Sequence, residues 1–301
     1  MLPIGAQADV TVYGKIHNTI NFHDPADGTD STVDVGDSGS RIGFKASSDL
    51  GNGMTGHGHF EFNANSAKNG TGITRTRLGY VGLSGGFGTV NIGQQSTAFS
   101  KLGGVMDPTF YVGPVGGAGD FRSANTIQYS NAVGPLSLAV DVRLNDTAAE
   151  DVENWSGDGT GLGLQVAATE NLTLTAAFNT EEKTTGLEET IIGAAANVSF
   201  GNLWGSIGWT NQENLDASGA TTSDTDYLAA YFGADFTDST RGMVGFSQSD
   251  NDTTEPSKIM AGVYHELGGG LSLLYEGAAH DMDAPNMDDD VQHIIGLQIN
   301  F

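Results

Sequence analysis

The 301-residue chain contains no cysteine. That excludes a disulfide framework and thiolate metal sites, and it suits an exported protein that folds without disulfides. Basic residues are scarce: 12 Lys and Arg stand against 37 Asp and Glu, giving a net charge of −25. Nucleic acid is thereby excluded as a partner, because its phosphates require a basic surface. Long apolar runs are missing too. A membrane helix needs about 18 or more consecutive apolar residues, and the nearest approach, 191–198, is interrupted by Gly193 and Asn197. The chain is therefore either soluble or crosses a membrane only as strands. A Gly-x-Ser-x-Gly elbow and a phosphate-binding glycine loop are also lacking, so nothing in the chain points to an enzyme.

What is present is a rhythm. Segments with an apolar residue at every second position are joined in turn by tight Gly/Asn/Asp turns and by longer, mostly acidic stretches. Such alternation marks strands with one greasy and one wet face. In the first strand, about 9–23, Val10, Val12, Ile16, Ile20 and Phe22 share one face, while Thr11, Tyr13, Lys15, His17 and Thr19 share the other. A second strand is expected over about 38–50. Gly51-Asn52-Gly53 then forms a hairpin turn into a third, where Phe60 and Phe62 oppose His57, His59 and Glu61. Further tight turns fall near 85–86, 133–135, 170–171, 201–202, 237–239 and 268–270. Long connections fall near 24–37, 65–74, 95–122, 145–158, 180–187, 212–223, 249–257 and 281–290. Seven turns and eight loops make fifteen connections and hence sixteen strands. The last strand runs to Phe301, placing both ends on the short-turn side, where a barrel can close. An even set of strands with short turns at one end and long loops at the other describes an all-β transmembrane barrel with a polar lumen. Tyr80, Phe87, Tyr129, Phe200, Trp204, Phe236, Tyr264, Tyr275 and Phe301 lie near strand ends, as interfacial aromatic girdles would.

Residues 9–301 read as a single barrel domain. Ala6-Gln7-Ala8 has the pattern of a signal-peptidase site, so residues 1–8 are read as the remnant of a leader.

The charge is unevenly spread. Loops 24–37, 145–158, 180–188, 212–224, 249–257 and 281–290 hold 24 acidic residues and one basic residue, Lys183. Lys15, Arg41, Lys45, Arg75 and Arg77 lie on the polar faces of strands one, two and four, with His57 and His59 between them, so neighbouring strands would form a contiguous basic wall. The longest connection carries Asp107 and Asp120, together with Phe99, Met106, Phe110 and Tyr111. Folded inward, it would set its acids opposite the wall.

The segments Ser40-Arg-Ile-Gly-Phe-Lys45, Asp49-Leu-Gly-Asn-Gly53, 77–90 and Asn125-Thr-Ile-Gln-Tyr-Ser130, with the terminal Phe301, resemble the general diffusion porins of Gram-negative outer membranes. The resemblance covers the chain from Asp9 onward. It implies a sixteen-stranded homotrimeric barrel in contact with outer-membrane lipid and lipopolysaccharide. It also implies a third long loop folded into the lumen, where it forms the constriction. Carried over by position, Lys15, Arg41, Lys45, Arg75 and Arg77 form the constriction wall, joined by Arg122, and Asp107 and Asp120 are the loop acids. His17, His57, His59 and Glu61 line the pore, and Phe301 resembles the family's assembly signal. The family's Pro-Glu-Phe-Gly-Gly-type loop motif has its nearest match in Gly113-Pro-Val-Gly-Gly117, which contains no acid.

The expected function is passive diffusion of ions and small hydrophilic solutes, with no cofactor. The net charge of −25 tilts the expected preference slightly toward cations. Two imidazoles and Glu61 on one strand face could suggest a metal, but a polar lumen wall explains them without one. Asp281, Asp283 and Asp288 to Asp290 read as a solvated acidic loop with at most weak Ca2+ or Mg2+ binding. The alternatives are a substrate-specific porin for a sugar or an anion and, from another class, a soluble secreted adhesin or calcium-binding module.

Overall fold

The computed structural model describes residues 8–67, 72–101, 107–115, 121–144, 158–182, 186–284 and 288–301. The leader remnant expected at 1–8 lies outside these except for Ala8. Seventeen strand segments follow in order: β1 (Asp9–Asp24), β2 (Thr32–Asp37), β3 (Arg41–Gly51), β4 (Met54–Ala64), β5 (Ile73–Gly85), β6 (Gly88–Ser96), β7 (Arg122–Val133), β8 (Leu136–Arg143), β9 (Gly159–Thr169), β10 (Leu172–Glu182), β11 (Glu188–Phe200), β12 (Leu203–Leu215), β13 (Thr221–Thr237), β14 (Thr240–Asp250), β15 (Ser257–Gly268), β16 (Leu271–Asp281) and β17 (Asp290–Asn300). β2 and β3 both pair with β1, the first with Asn18 to His23 and the second with Asp9 to Lys15. They are two halves of one strand interrupted at residues 38–40, so the barrel has sixteen strands.

Every neighbouring pair is antiparallel, and the ring closes where β1 meets β17 from Lys15↔Asn300 to Asp24↔Val291. The end of the chain extends this seam: Phe301 and Gly14 exchange two backbone hydrogen bonds, at 2.8 and 3.1 Å. All seven expected tight turns join the expected strands. Two of the long connections are shorter than the sequence suggests. Residues 24–37 contain β2, and residues 212–223 are mostly strand, leaving only 216–220 between β12 and β13.

The distribution of side chains is that of a membrane barrel. Val10, Val12, Ile16, Ile20, Val81, Ile207, Phe232 and Ile259 are among the many large apolar residues exposed on the outer face. His17, Thr19, Glu61, Arg143, Glu181 and Glu276 are among the polar residues buried within. Phe87, Phe200, Phe236, Tyr275 and Phe301 face outward and are exposed, as girdle residues should be. Tyr80, Trp204 and Tyr264 face inward instead, so the girdle is smaller than the sequence reading gives. Tyr80 hydrogen-bonds the lumenal His59, and Tyr264 hydrogen-bonds Glu276.

Inward aromatic rings recur opposite glycine. Tyr13 pairs with Gly43, Trp204 with Gly233 and Tyr231 with Gly245 across adjacent strands. A methyl group on any of these glycines would collide with the ring. The missing side chain lets each ring lie down on the wall rather than stand into the lumen.

Candidate channel constriction

The basic wall assembles on adjoining strands. Lys15 on β1 is the register partner of Arg41 on β3, and Lys45 is the partner of His59 on β4. A register shift between Glu61 and Phe62 puts Arg77 between the pairs Glu61–Leu78 and Phe62–Thr76. Bulges of this kind re-aim side chains beside functional sites, and here the guanidinium turns onto Glu61. Arg77 Nε donates to Glu61 Oε1 at 2.7 Å and Arg77 Nη1 to Asn63 Oδ1 at 3.0 Å. Tyr13 donates to Glu61 Oε2 at 2.7 Å, and Arg41 lies 3.6 Å from the same oxygen. Glu61 is thus an internal counter-charge of the wall, and Asp37 also acts on Lys15. Arg122, at the start of β7, is within electrostatic range of Arg75, Arg77 and Arg41.

Lys45, His59 and Tyr80 continue the wall toward the short-turn end. Lys45 Nζ sits 4.9 Å from the centre of the Tyr13 ring, a cation–π contact. His59 bridges the hydroxyls of Tyr13 and Tyr80 at 2.5 and 3.2 Å. His57 is held by Asn91 at 2.8 Å.

The long connection between β6 and β7 is tied to the inner wall at three places. At its start, a single turn of 3-10 helix (Ala98–Lys101) places Phe99 in a small core with Ala177, Ile191 and Ala195. Asp141 accepts a hydrogen bond from the backbone N–H of Ala98. Asp141 also lies 3.6 Å from Arg143, whose Nη1 donates to Glu181 at 3.2 Å, and all three side chains are fully buried. Further along, the N–H groups of Phe110, Tyr111 and Val112 donate to the Glu276 carboxylate at 2.6, 2.8 and 3.1 Å. Tyr264 adds a fourth bond at 2.8 Å. Val115 N–H donates to Ser247 Oγ at 2.7 Å, and Lys258 donates to the Val112 carbonyl at 3.2 Å.

This docking decides which loop groups meet the wall. Phe110 does: its ring centre is 5.9 Å from Lys15 Nζ and 6.2 Å from the His17 ring, and it contacts Tyr264 on its other flank. His17 is completely buried at this junction. Asp107 is turned away. It caps its own turn by accepting from the N–H and hydroxyl of Thr109, and the charges it senses are those of Glu276 and Lys258. Burial pushes its carboxyl above the usual range, with Glu276 adding to the effect. Asp120 lies outside the described residues. Among the described residues no three His, Asp or Glu side chains converge as a metal site.

Glu276, Asp141 and Arg143 are not singled out by the sequence, and Glu181 counts there among the acids of loop 180–188 although β10 carries it. For Glu276, Asp141 and Arg143 the one signal is a charge at an inward position of a strand remote from the basic wall.

A family model of the Gram-negative porins matches residues 2–284. The protein belongs to that family. Major outer membrane protein P.IB of Neisseria meningitidis is 33% identical over 165 residues, covering 49% of this chain and 47% of the relative. The form from Neisseria gonorrhoeae is 37% identical over 109 residues, 34% and 31% of the two chains. These matches span about a third to a half of the relatives' length. Among solved structures, an anion-selective porin from Comamonas acidovorans superposes with TM-score 0.85 at 18% identity over 98% of this chain and all of the other. OmpF of Salmonella typhi, in complex with daunomycin, gives 0.82 at 16% identity and 97% of each chain. The trimer form of Vibrio cholerae OmpT gives 0.77 at 15%, covering 98% and 99%. The porin of this chain is a sixteen-stranded barrel of the Gram-negative outer membrane.

Proposed function

We propose that this porin is a passive diffusion channel for small hydrophilic solutes and ions, narrowed by residues 107–115, whose constriction favours anions. The observation that carries the sign is the composition of the wall. Lys15, Arg41, Lys45, Arg75, Arg77 and Arg122 share one face of the lumen, with Glu61 as the carboxylate hydrogen-bonded among them. On the loop side, Phe110 meets that wall and Asp107 does not. Charge at a narrow passage sets selectivity without a tight binding step, and this geometry reverses the slight cation tilt suggested by the net charge. The Comamonas porin's anion selectivity agrees with the reading, although at 18% identity the likeness itself speaks only for the fold.

The protein would work as a homotrimer, in contact with outer-membrane lipid and lipopolysaccharide, and without catalysing a reaction. Planar-bilayer recording in a KCl gradient tests the central claim. Stepwise insertions in threes with a reversal potential of the anion-selective sign are expected. A cation-selective reversal potential would place the selectivity outside this wall.

A further inference from the structure

Below the docked segment lies a recess of about 970 Å3 that opens toward the short-turn end. Pro108 and Phe110 form its roof, and β11 to β15 with their short turns form its walls. It is chemically unlike the basic wall. The rings of Trp204, Tyr264 and Phe110 line it, as does Phe236 near the end of β13, and the indole lies over Gly233. The carboxylates lining it are Asp235, Asp238 and Glu266, against a single cation, Arg241. Arg241 lies 3.8 Å from Asp235, so the remaining charge at the recess is that of Asp238 and Glu266. Ser206, more than nine-tenths buried, also lines the recess, and its hydroxyl has no hydrogen-bond partner among the described residues.

We infer that this recess is a weak binding subsite for organic ammonium solutes. Aromatic faces attract a cation through the ring quadrupole, nearby carboxylates supply its counter-charge, and the rings cover its apolar part. A volume of this size accommodates a small organic ligand with water around it. A free inorganic anion would meet one cation lining the recess, Arg241, which three carboxylates outnumber. A neutral sugar could use the rings and the Ser206 hydroxyl but gains nothing from the net negative charge. The subsite goes beyond the anion preference of the constriction, from which it is chemically distinct. It would hold a cationic solute on the side of the lumen away from the arginines.

The test is single-channel recording of the reconstituted protein with benzyltrimethylammonium chloride, and with maltose for comparison. A saturable reduction of current at millimolar benzyltrimethylammonium is expected, with maltose without effect at the same concentration. Trp204→Ala and the isosteric Glu266→Gln should each weaken the block by roughly three- to tenfold. Absence of a saturable block would overturn the proposal. So would a block that neither substitution moves, or one that maltose produces as well, which would make the recess a sugar site. A circular-dichroism melt checks that each variant is folded. The reversal potential in a KCl gradient, read in the same membranes, reports the constriction independently of the recess.

Discussion

Glu276 shows how much a single residue contributes to this channel. Fully buried, it accepts three consecutive backbone N–H groups and a tyrosine hydroxyl. Hydrogen bonds to a charged group are worth about 1.5–3 kcal/mol each, so the carboxylate is the main tether of residues 110–112. Glu276→Gln keeps the volume but removes the charge and leaves one side-chain oxygen to accept where two did. More frequent brief closures and higher open-channel noise are expected in bilayer recordings. A trace as quiet as the wild type would show that the anchor at Phe99 and Arg143 suffices. Asp107 makes the opposite case. Burial raises its carboxyl pKa, so ionisation is opposed in the folded state. The associated stability is present below the ordinary Asp value of about 3.9 and is lost as pH rises through the folded value. Asp107→Asn retains the acceptor for Thr109 and carries no charge. The variant should melt at a higher temperature than the wild type at pH 7 and at the same temperature at pH 3. A lower melting point at pH 7 would mean that the charge of Asp107 stabilises the loop, for instance through Lys258.

At the scale of elements, the barrel was legible in the sequence and the loop docking was not. Glycine-rich turns and period-two apolar residues mark strands wherever one face meets lipid, so all seven short turns were found. The strand ends were missed where they rise beyond that layer. There polar side chains bond across the strands: Asn21 with Asp34 at β2, whose Val33 and Val35 still pair with Phe22 and Ile20 on the other face, and, where β12 meets β13 with both faces polar, Asn211 with Asp224 and Asp226 and Asn214 with Ser223. Acidic, polar sequence reads as loop, yet side-chain ladders of this kind hold β2 and the start of β13 in the sheet. The positions of the wall cations were legible for the same reason the strands were, since parity fixes which face a residue takes. Glu61 as their shared partner depends on the bulge at Arg77, which parity does not reveal. The Arg143 cluster is likewise a product of three strands and the loop meeting. Removing one partner of a buried ion pair costs about 3–5 kcal/mol because the other charge stays buried. Arg143→Met should therefore lower the thermal midpoint sharply and loosen the segment around Ala98. A small loss of stability would show that water reaches Asp141 and Glu181. The aromatic–glycine pairs make a milder prediction. Gly233→Ala should lift the Trp204 indole off the wall, cost about 1–3 kcal/mol by overpacking, and change the tryptophan fluorescence.

For the whole molecule, two charge systems of opposite sign act at different depths. The long-loop end carries most of the net charge of −25, with Asp250, Asp252, Glu255, Asp281 and Asp283 gathered around one recess there. The lumenal wall carries Lys15, Arg41, Lys45, Arg75, Arg77 and Arg122. Screening separates the two, because the Debye length is about 10 Å at 0.1 M salt and 3 Å at 1 M. Exposed loop carboxylates lose their reach as salt rises, whereas guanidinium groups bordering a narrow passage act on an ion at close range and are screened less. At low salt the loops enrich cations at the mouth and oppose the wall. At high salt the wall acts nearly alone. The anion preference, measured from reversal potentials at a fixed tenfold KCl gradient, should accordingly strengthen when both baths are raised from tens of millimolar toward molar. Arg77→Gln combined with Arg41→Gln should flatten that dependence and lower the preference at high salt. Mg2+ at millimolar concentration should screen the loop carboxylates and shift the low-salt preference toward its high-salt value, with EDTA reversing the shift. A preference that instead decays steadily with salt would show that the wall's own cations are screened as freely as exposed charges, and the passage beside them would then be too wide for the wall to act as its filter.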